Sequence, residues 1–196
     1  MKKSLIALLI IGVLVLGSVF KLKNSYNTMV SMDESVSAQW AQVENVYQRR
    51  LDLIPNLVNT VKGYATHEKE TLEGVIEARA KATQVTVDPS KLDAASIKNF
   101  QETQAGLSSA LGRLMVVMEQ YPDLKANQNF RDLQAQLEGT ENRIAVERGR
   151  FNDSARNFNA YIRKFPQVFI ANLFDFEKKA YFEAEKGASK APEVQF

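Results

Sequence analysis

Apolar residues recur at three- and four-residue steps through most of this chain, and one proline stands inside the pattern. From Tyr26 the stripe runs Met29, Met32, Val36, Trp40, Val43, Tyr47 and Leu51, the spacing of one face of an α-helix. Pro55 then interrupts it, and the steps resume at Leu57 or Val58, Val61, Tyr64 or Ala65, Leu72, Val75 or Ile76, and Arg79. Two folds fit this text. Pro55 either kinks one long helix, as the nearly unbroken phase suggests, or is the first residue of a new helix, where its missing N–H costs nothing. Ile54, directly before it, is biased away from helical geometry.

Helix lengths favour the second fold. Residues 26–51 and 55–84 are comparable runs. A third extends from about Asp93 to Glu119, with Ile97, Phe100, Gln104, Leu107, Leu111, Leu114 and Met118 on one stripe, and Tyr121-Pro122 ends it. The fourth extends from Asn127 to Lys164 along a heptad line of Phe130, Leu137, Ile144, Phe151, Phe158 and Phe165. The expectation is an all-α, antiparallel up-and-down bundle of four long helices; three helices, one of them long and kinked at Pro55, is the alternative. A corner at Pro55 gives the Val36–Tyr47 stripe a partner, whereas a single projecting helix leaves it bare. At 196 residues and 45% hydrophobic, with few Gly and Pro, the chain suits one helical domain with appendages.

Ahead of the bundle, Ser4–Phe20 carries no charge and is flanked by Lys2, Lys3, Lys21 and Lys23. Its length is at the short end of the ~17–25 residues that span a bilayer. A cleaved signal peptide is the rival reading, but the core is long for one and no A-x-A site follows. The expected organisation is a single-pass anchor over 1–23, held in the lipid bilayer through residues 4–20, a bundle over 24–186, and a disordered tail over 187–196. The short basic leader resembles a signal-anchor with its N-terminus inside, so the domain is expected outside the cytoplasm. After the fourth helix, QVFIANLFDFEKKAYFEAE is rich in Phe. Phe165, Phe169, Phe174 and Phe176 are candidates for contact with the lipid interface; capping the base of the bundle is the other reading.

Several classes of function find no support. With 25 basic and 23 acidic residues the chain has no nucleic-acid footprint. The lack of cysteine excludes disulfides, thiolate metal sites and Cys catalysis. The single histidine, His67, has neither a Glu-x-x-His partner for a di-iron bundle nor a second His for a zinc-protease pair. No G-x-S-x-G or phosphate loop occurs. No catalytic residue, metal or cofactor is therefore assigned, and the chain reads as a non-enzyme.

Two polar groupings remain. Arg49, Arg50, Asp52, Pro55 and Asn56 fall in one expected turn; Tyr121, Pro122, Asp123, Lys125 and Asn127 fall in another. A corner at Pro55 brings both to the end away from the membrane. Arg and Tyr are favoured at binding hot spots, so the tip is a candidate surface for an unidentified protein partner or a second copy. The bland reading is that such residues cap helices and bond the turns. The second grouping lies along the seams. Counting by sevens from Leu133 gives Thr140, Glu147, Ser154 and Tyr161, which aims Glu147 at the core. A buried charge must be paired. Arg50, Arg79, Glu141, Arg143, Glu147 and Arg150 are thus candidate core ion pairs that fix helix register, and Asn152, Asn157 and Asn159 are candidate core hydrogen-bonders.

QRRLDLIPNLVNTVKGYATHE (48–68), EARAKA (77–82), YPDLKANQNFRDLQAQLEGTENRIAVERGRFNDSARNFNAYIRKFP (121–166) and YFE (181–183) resemble the signature of the LemA family. The resemblance covers nearly the whole chain. It implies a bacterial, membrane-attached helical protein with no established biochemical activity. Together with the anchor and the missing catalytic constellation, it points to a scaffold or adaptor at the cell envelope that acts by protein–protein contact. A ligand-sensing bundle, or membrane remodelling through the Phe-rich segment, is the alternative.

Overall fold

The computed structural model describes residues 2–65 and 67–183. They form α1 (Lys2–Lys62), α2 (Lys69–Gln84), α3 (Ala94–Met118), the single turn α4 (Pro122–Ala126), α5 (Gln128–Ile162) and the short α6 (Gln167–Leu173). The architecture is an all-α bundle. The tail expected over 187–196 lies outside the described residues.

Pro55 is not a corner. α1 passes through it without a break over 61 residues. A proline inside a helix leaves the carbonyl four residues earlier without its N–H donor, here that of Leu51. Arg79 of α2 supplies the replacement: its Nε donates to the Leu51 carbonyl at 2.9 Å. The phase of the stripe therefore runs on, and Ile54, Leu57, Val58 and Val61 join the core. The corner comes later, at residues 63–68, where the Tyr64 and Ala65 amides both donate to the Val61 carbonyl at 2.9 Å.

From this corner α2 descends, α3 rises and α5 descends beside the part of α1 that lies within the bundle. Arg50 faces Glu141, Gln39 faces Glu147 and Ser35 faces Ser154, which fixes an antiparallel register. Asp93 caps α3 by accepting from the Ser96 amide at 2.8 Å. With only 16 residues, α2 flanks the distal half of α1 alone.

Below that level α1 and α5 are completed by chain that follows α6. Asp175, at φ 55, turns the backbone after α6, and residues 176–183 climb back in extended form. Asn159 clasps this strap through Nδ2 to the Lys179 carbonyl (2.8 Å) and Oδ1 from the Lys179 amide (2.9 Å). Asn152 does the same for Phe182, at 3.0 and 2.9 Å. Each side-chain amide thus replaces one rung of a sheet. Phe182 is buried against Trp40, Phe100 and Phe151, with ring centroids 5.5–6.4 Å apart. The Val36–Tyr47 stripe needs no hairpin partner, because α5, α3 and this strap cover it.

The core has two parts. A distal part holds Leu51, Ile54, Leu57, Leu107, Leu114, Phe130 and Leu137. A proximal part holds Met29, Trp40, Phe100, Phe151, Phe158 and Phe182. The heptad line of α5 is buried from Phe130 to Phe158, while Phe165 lies past the helix end and is exposed. N-terminal to Ser25, α1 leaves the bundle. Its large apolar residues from Leu5 to Phe20 are exposed, and the segment is long and apolar enough to cross a membrane.

A buried arginine layer, a polar tip and an apolar base

Arg50 separates the two parts of the core and is 2% exposed. Its Nη1 donates to Ser108 Oγ and to Glu141 Oε2, both at 2.9 Å. Its Nη2 donates to Gln104 Oε1 at 2.5 Å and to the Gln104 carbonyl at 3.4 Å. The guanidinium also lies 5.0 Å from the centre of the Tyr47 ring. Three helices thereby meet on one cation. Its counter-charge comes from outside: the Glu141 side chain is 55% exposed and reaches inward. Burial raises the Tyr47 phenol above its ordinary pKa, opposed by Arg148 and Arg50. A cleft of about 230 Å³ opens alongside, lined among others by Gln48, Tyr47, Phe100 and Gln104.

The other seam charges take separate places. Glu147 is half-buried; it accepts from Gln39 Nε2 at 2.7 Å and from Arg150 Nη1 at 2.9 Å. Arg79 serves the Pro55 break. Arg143 lies on the exposed side of α5. Sequence reasoning missed the pair of the buried Lys179 with Asp33, at 2.8 Å, because an extended segment carries no helical phase to reveal it. Gln104 was legible as a polar residue on the apolar stripe of α3.

At the tip, the corner at 63–68 meets the turn around α4. Tyr121 Oη donates to Glu68 Oε1 and Asn127 Nδ2 donates to Tyr64 Oη, both at 2.8 Å. The Glu68 hydrogen bond, then burial, raises the Tyr121 phenol above its ordinary pKa. Asn127 also caps α5 by accepting from the Phe130 amide at 3.1 Å. Lys125 pairs with Glu119, and Pro122 opens α4. Arg49, Asp52, Pro55 and Asn56 are exposed along α1 below this point, and Gln48 donates to Asp52 Oδ1 at 2.7 Å. The two expected turns therefore do not meet. Tyr64 and Glu68 take the place assigned to Arg49–Asn56, because Arg79 moves the corner beyond Lys62.

At the base, Phe174 packs on Tyr26 with centroids 4.8 Å apart, and the half-buried Phe176 lies 5.8 Å from Tyr26 and 6.3 Å from Phe158. Phe165 and Phe169 contact each other on the outside, 5.9 Å apart. Among the described residues no cluster of His, Cys, Asp or Glu is arranged to hold a metal ion.

Comparison with known proteins agrees with this architecture. The model of the LemA family matches residues 39–196. Magnetosome proteins MamQ 1 and MamQ 2 of Paramagnetospirillum magneticum are each 32% identical over 95% of this chain and 75% of their own. Magnetosome protein MamQ of Magnetospirillum gryphiswaldense is 32% identical over 85% of this chain and 67% of its own. Protein LemA of Metamycoplasma hominis is 26% identical over 74% of this chain and 62% of its own. With its matched span, its apolar N-terminal helix and its bundle, the chain belongs to the LemA family.

Proposed function

We propose that this protein is a membrane-anchored scaffold that presents its distal tip to a protein partner outside the cytoplasm. The observation that carries the reading is the continuity of α1 from the apolar segment to Lys62. At 1.5 Å per residue, the part beyond Lys23 holds the tip about 58 Å from the bilayer. Tyr64, Tyr121, Lys125 and Asn127 are gathered there on rigid supports, and Tyr is a favoured anchor at protein interfaces. Arg50 is sealed in the core and takes no part in docking; Arg49, Asp52 and Asn56 extend the surface down α1. The relatives named magnetosome proteins carry the name of a structure and not of a reaction, which is in keeping with a non-enzymatic role.

A photo-crosslinking residue placed at Tyr64 or Asn127 of the full chain in its own cells tests this. Discrete protein adducts are expected from both sites, and fewer from Arg143, on the exposed side of α5. Adducts with lipid and random neighbours alone overturn it. A reporter fused to the C-terminus checks the compartment. The sensor reading has less behind it: both Nη atoms of Arg50 are already directed at Ser108, Glu141 and Gln104, so that only its buried Nε is without a partner.

A further inference from the structure

α6 is apolar on both sides, and the bundle covers only one. Ile170 and Ala171 are buried against α1 and α5. On the opposite side Phe169 is 65% and Leu173 is 68% exposed, and Phe165, just ahead of the helix, is 81% exposed. Residues 169 and 173 are spaced by four on α6, so they share one face, and Phe165 packs on Phe169 with ring centroids 5.9 Å apart. Only Gln167 and Asn172 in it are polar, and a helix with apolar residues on two opposite faces is ordinarily covered on both. The outer face of α6 therefore lacks a covering in the isolated chain.

Its position names the covering. Phe174 rests on Tyr26, six residues or ~9 Å along α1 from Phe20, the last residue of the apolar span. The α1/α5 register leads to the same height: continued downward, it brings Phe165 level with roughly the same turn of α1. The headgroup layer is ~5–8 Å deep on each side of the hydrocarbon, so a Phe side chain at this height reaches the acyl boundary. The surrounding charge is mainly basic, with Lys21, Lys23, Arg163, Lys164 and Lys178 against Asp175 and Glu177. A groove of about 660 Å³ in the same base is lined by the apolar Ile162, Val168, Ala171 and Phe176 and by the charged Arg163, Lys178 and Glu177.

We infer that α6 is a second membrane attachment, lying in the interface of the bilayer that α1 crosses, with Phe165, Phe169 and Leu173 in the acyl boundary. Two anchoring elements on one rigid base fix the inclination and rotation of the bundle on the membrane, which a single helix leaves free. The strap passes directly from α6 to Trp40, so the interfacial helix is fastened to the proximal core by Asn159 and Asn152.

Absence of native cysteine makes the test clean. Full-length Phe169→Cys, Leu173→Cys and Gly63→Cys variants are labelled with an environment-sensitive fluorophore. Each is reconstituted in phosphatidylcholine–phosphatidylglycerol vesicles that carry spin-labelled acyl chains. Labels at 169 and 173 are expected to be blue-shifted and quenched severalfold more than the label at 63 at the tip. An Asn172→Cys variant keeps the whole apolar face and guards against a disturbed base; it too is expected to be quenched more than Gly63→Cys. Equal quenching at 63, 169, 172 and 173 overturns the inference. So does shielding at 169 from aqueous iodide without lipid quenching, together with concentration-dependent disulfide dimers of the unlabelled Phe169→Cys chain under an added thiol oxidant, which assigns the face to a second copy.

Discussion

A buried guanidinium is costly unless its hydrogen bonds and its charge are both answered. Arg50 receives neutral acceptors from α3 and one carboxylate from α5, and that carboxylate keeps most of its hydration. The asymmetry sets the order of the mutations. Glu141→Gln leaves a buried charge facing only neutral oxygens and is expected to cost about 1–3 kcal/mol. Arg50→Ala removes the charge but opens a cavity between the two core parts, and is expected to cost about 2–5 kcal/mol. Arg50→Met fills that space, returns Glu141 to water and is expected to cost less than Arg50→Ala. Urea unfolding of the full chain in detergent, followed by circular dichroism, gives the ranking; equal losses for Met and Ala at this site would show that hydrogen bonds and not volume dominate. The polar residues at this layer were visible as interruptions of apolar stripes. Which of them paired was not, because Arg50, Gln104, Ser108 and Glu141 are brought together only by the packing of three helices.

Among the elements, α1 departs furthest from local expectation. Proline itself and the bias of Ile54 favour a break at Pro55 against the unbroken apolar phase, and the stripe residues Met29, Val36, Trp40, Val43, Tyr47 and Leu51 are buried as their spacing predicts. The helix survives the proline because of a donor 28 residues away in sequence, which no window of helical length contains. This gives a coupled prediction. Arg79→Ala leaves the Leu51 carbonyl without a donor and is expected to cost about 1–3 kcal/mol. In a Pro55→Ala background the new N–H at 55 serves that carbonyl, so Arg79→Ala is expected to cost markedly less. A double-mutant cycle measures the coupling; a loss that is the same in both backgrounds would mean that Arg79 acts by some other contact. The same hydrogen bond places the corner after Lys62 and not at Pro55, so Tyr64 and Glu68, in place of Arg49–Asn56, stand beside the Tyr121–Asn127 turn.

At the scale of the whole molecule, helical class and the long antiparallel α5 were legible from periodicity, and the apolar first segment from its uncharged run between lysines. The strap was not, since an extended segment of eight residues, FEKKAYFE, has no helical phase. Its only trace was the run of Asn on α5, where that residue is a mediocre helix former. The strap closes the proximal half, so Phe182→Ala is expected to destabilise the chain by about 3–5 kcal/mol. Trp40 is the single tryptophan and stacks on Phe182 at 5.8 Å, so its emission is expected to shift to the red and become open to acrylamide. An unshifted spectrum in a folded variant would mean that the strap does not seal this core.

An unbroken shaft also amplifies angle. A helix that crosses a bilayer changes its tilt when the hydrocarbon thickness changes. A rotation of about 10° at the foot of a lever about 58 Å long carries its far end sideways by about 10 Å. That is the diameter of an α-helix. Small differences in the seating of the base would therefore decide which neighbours the far end sweeps past, and a hinge at Pro55 would have shortened that lever by about 10 Å.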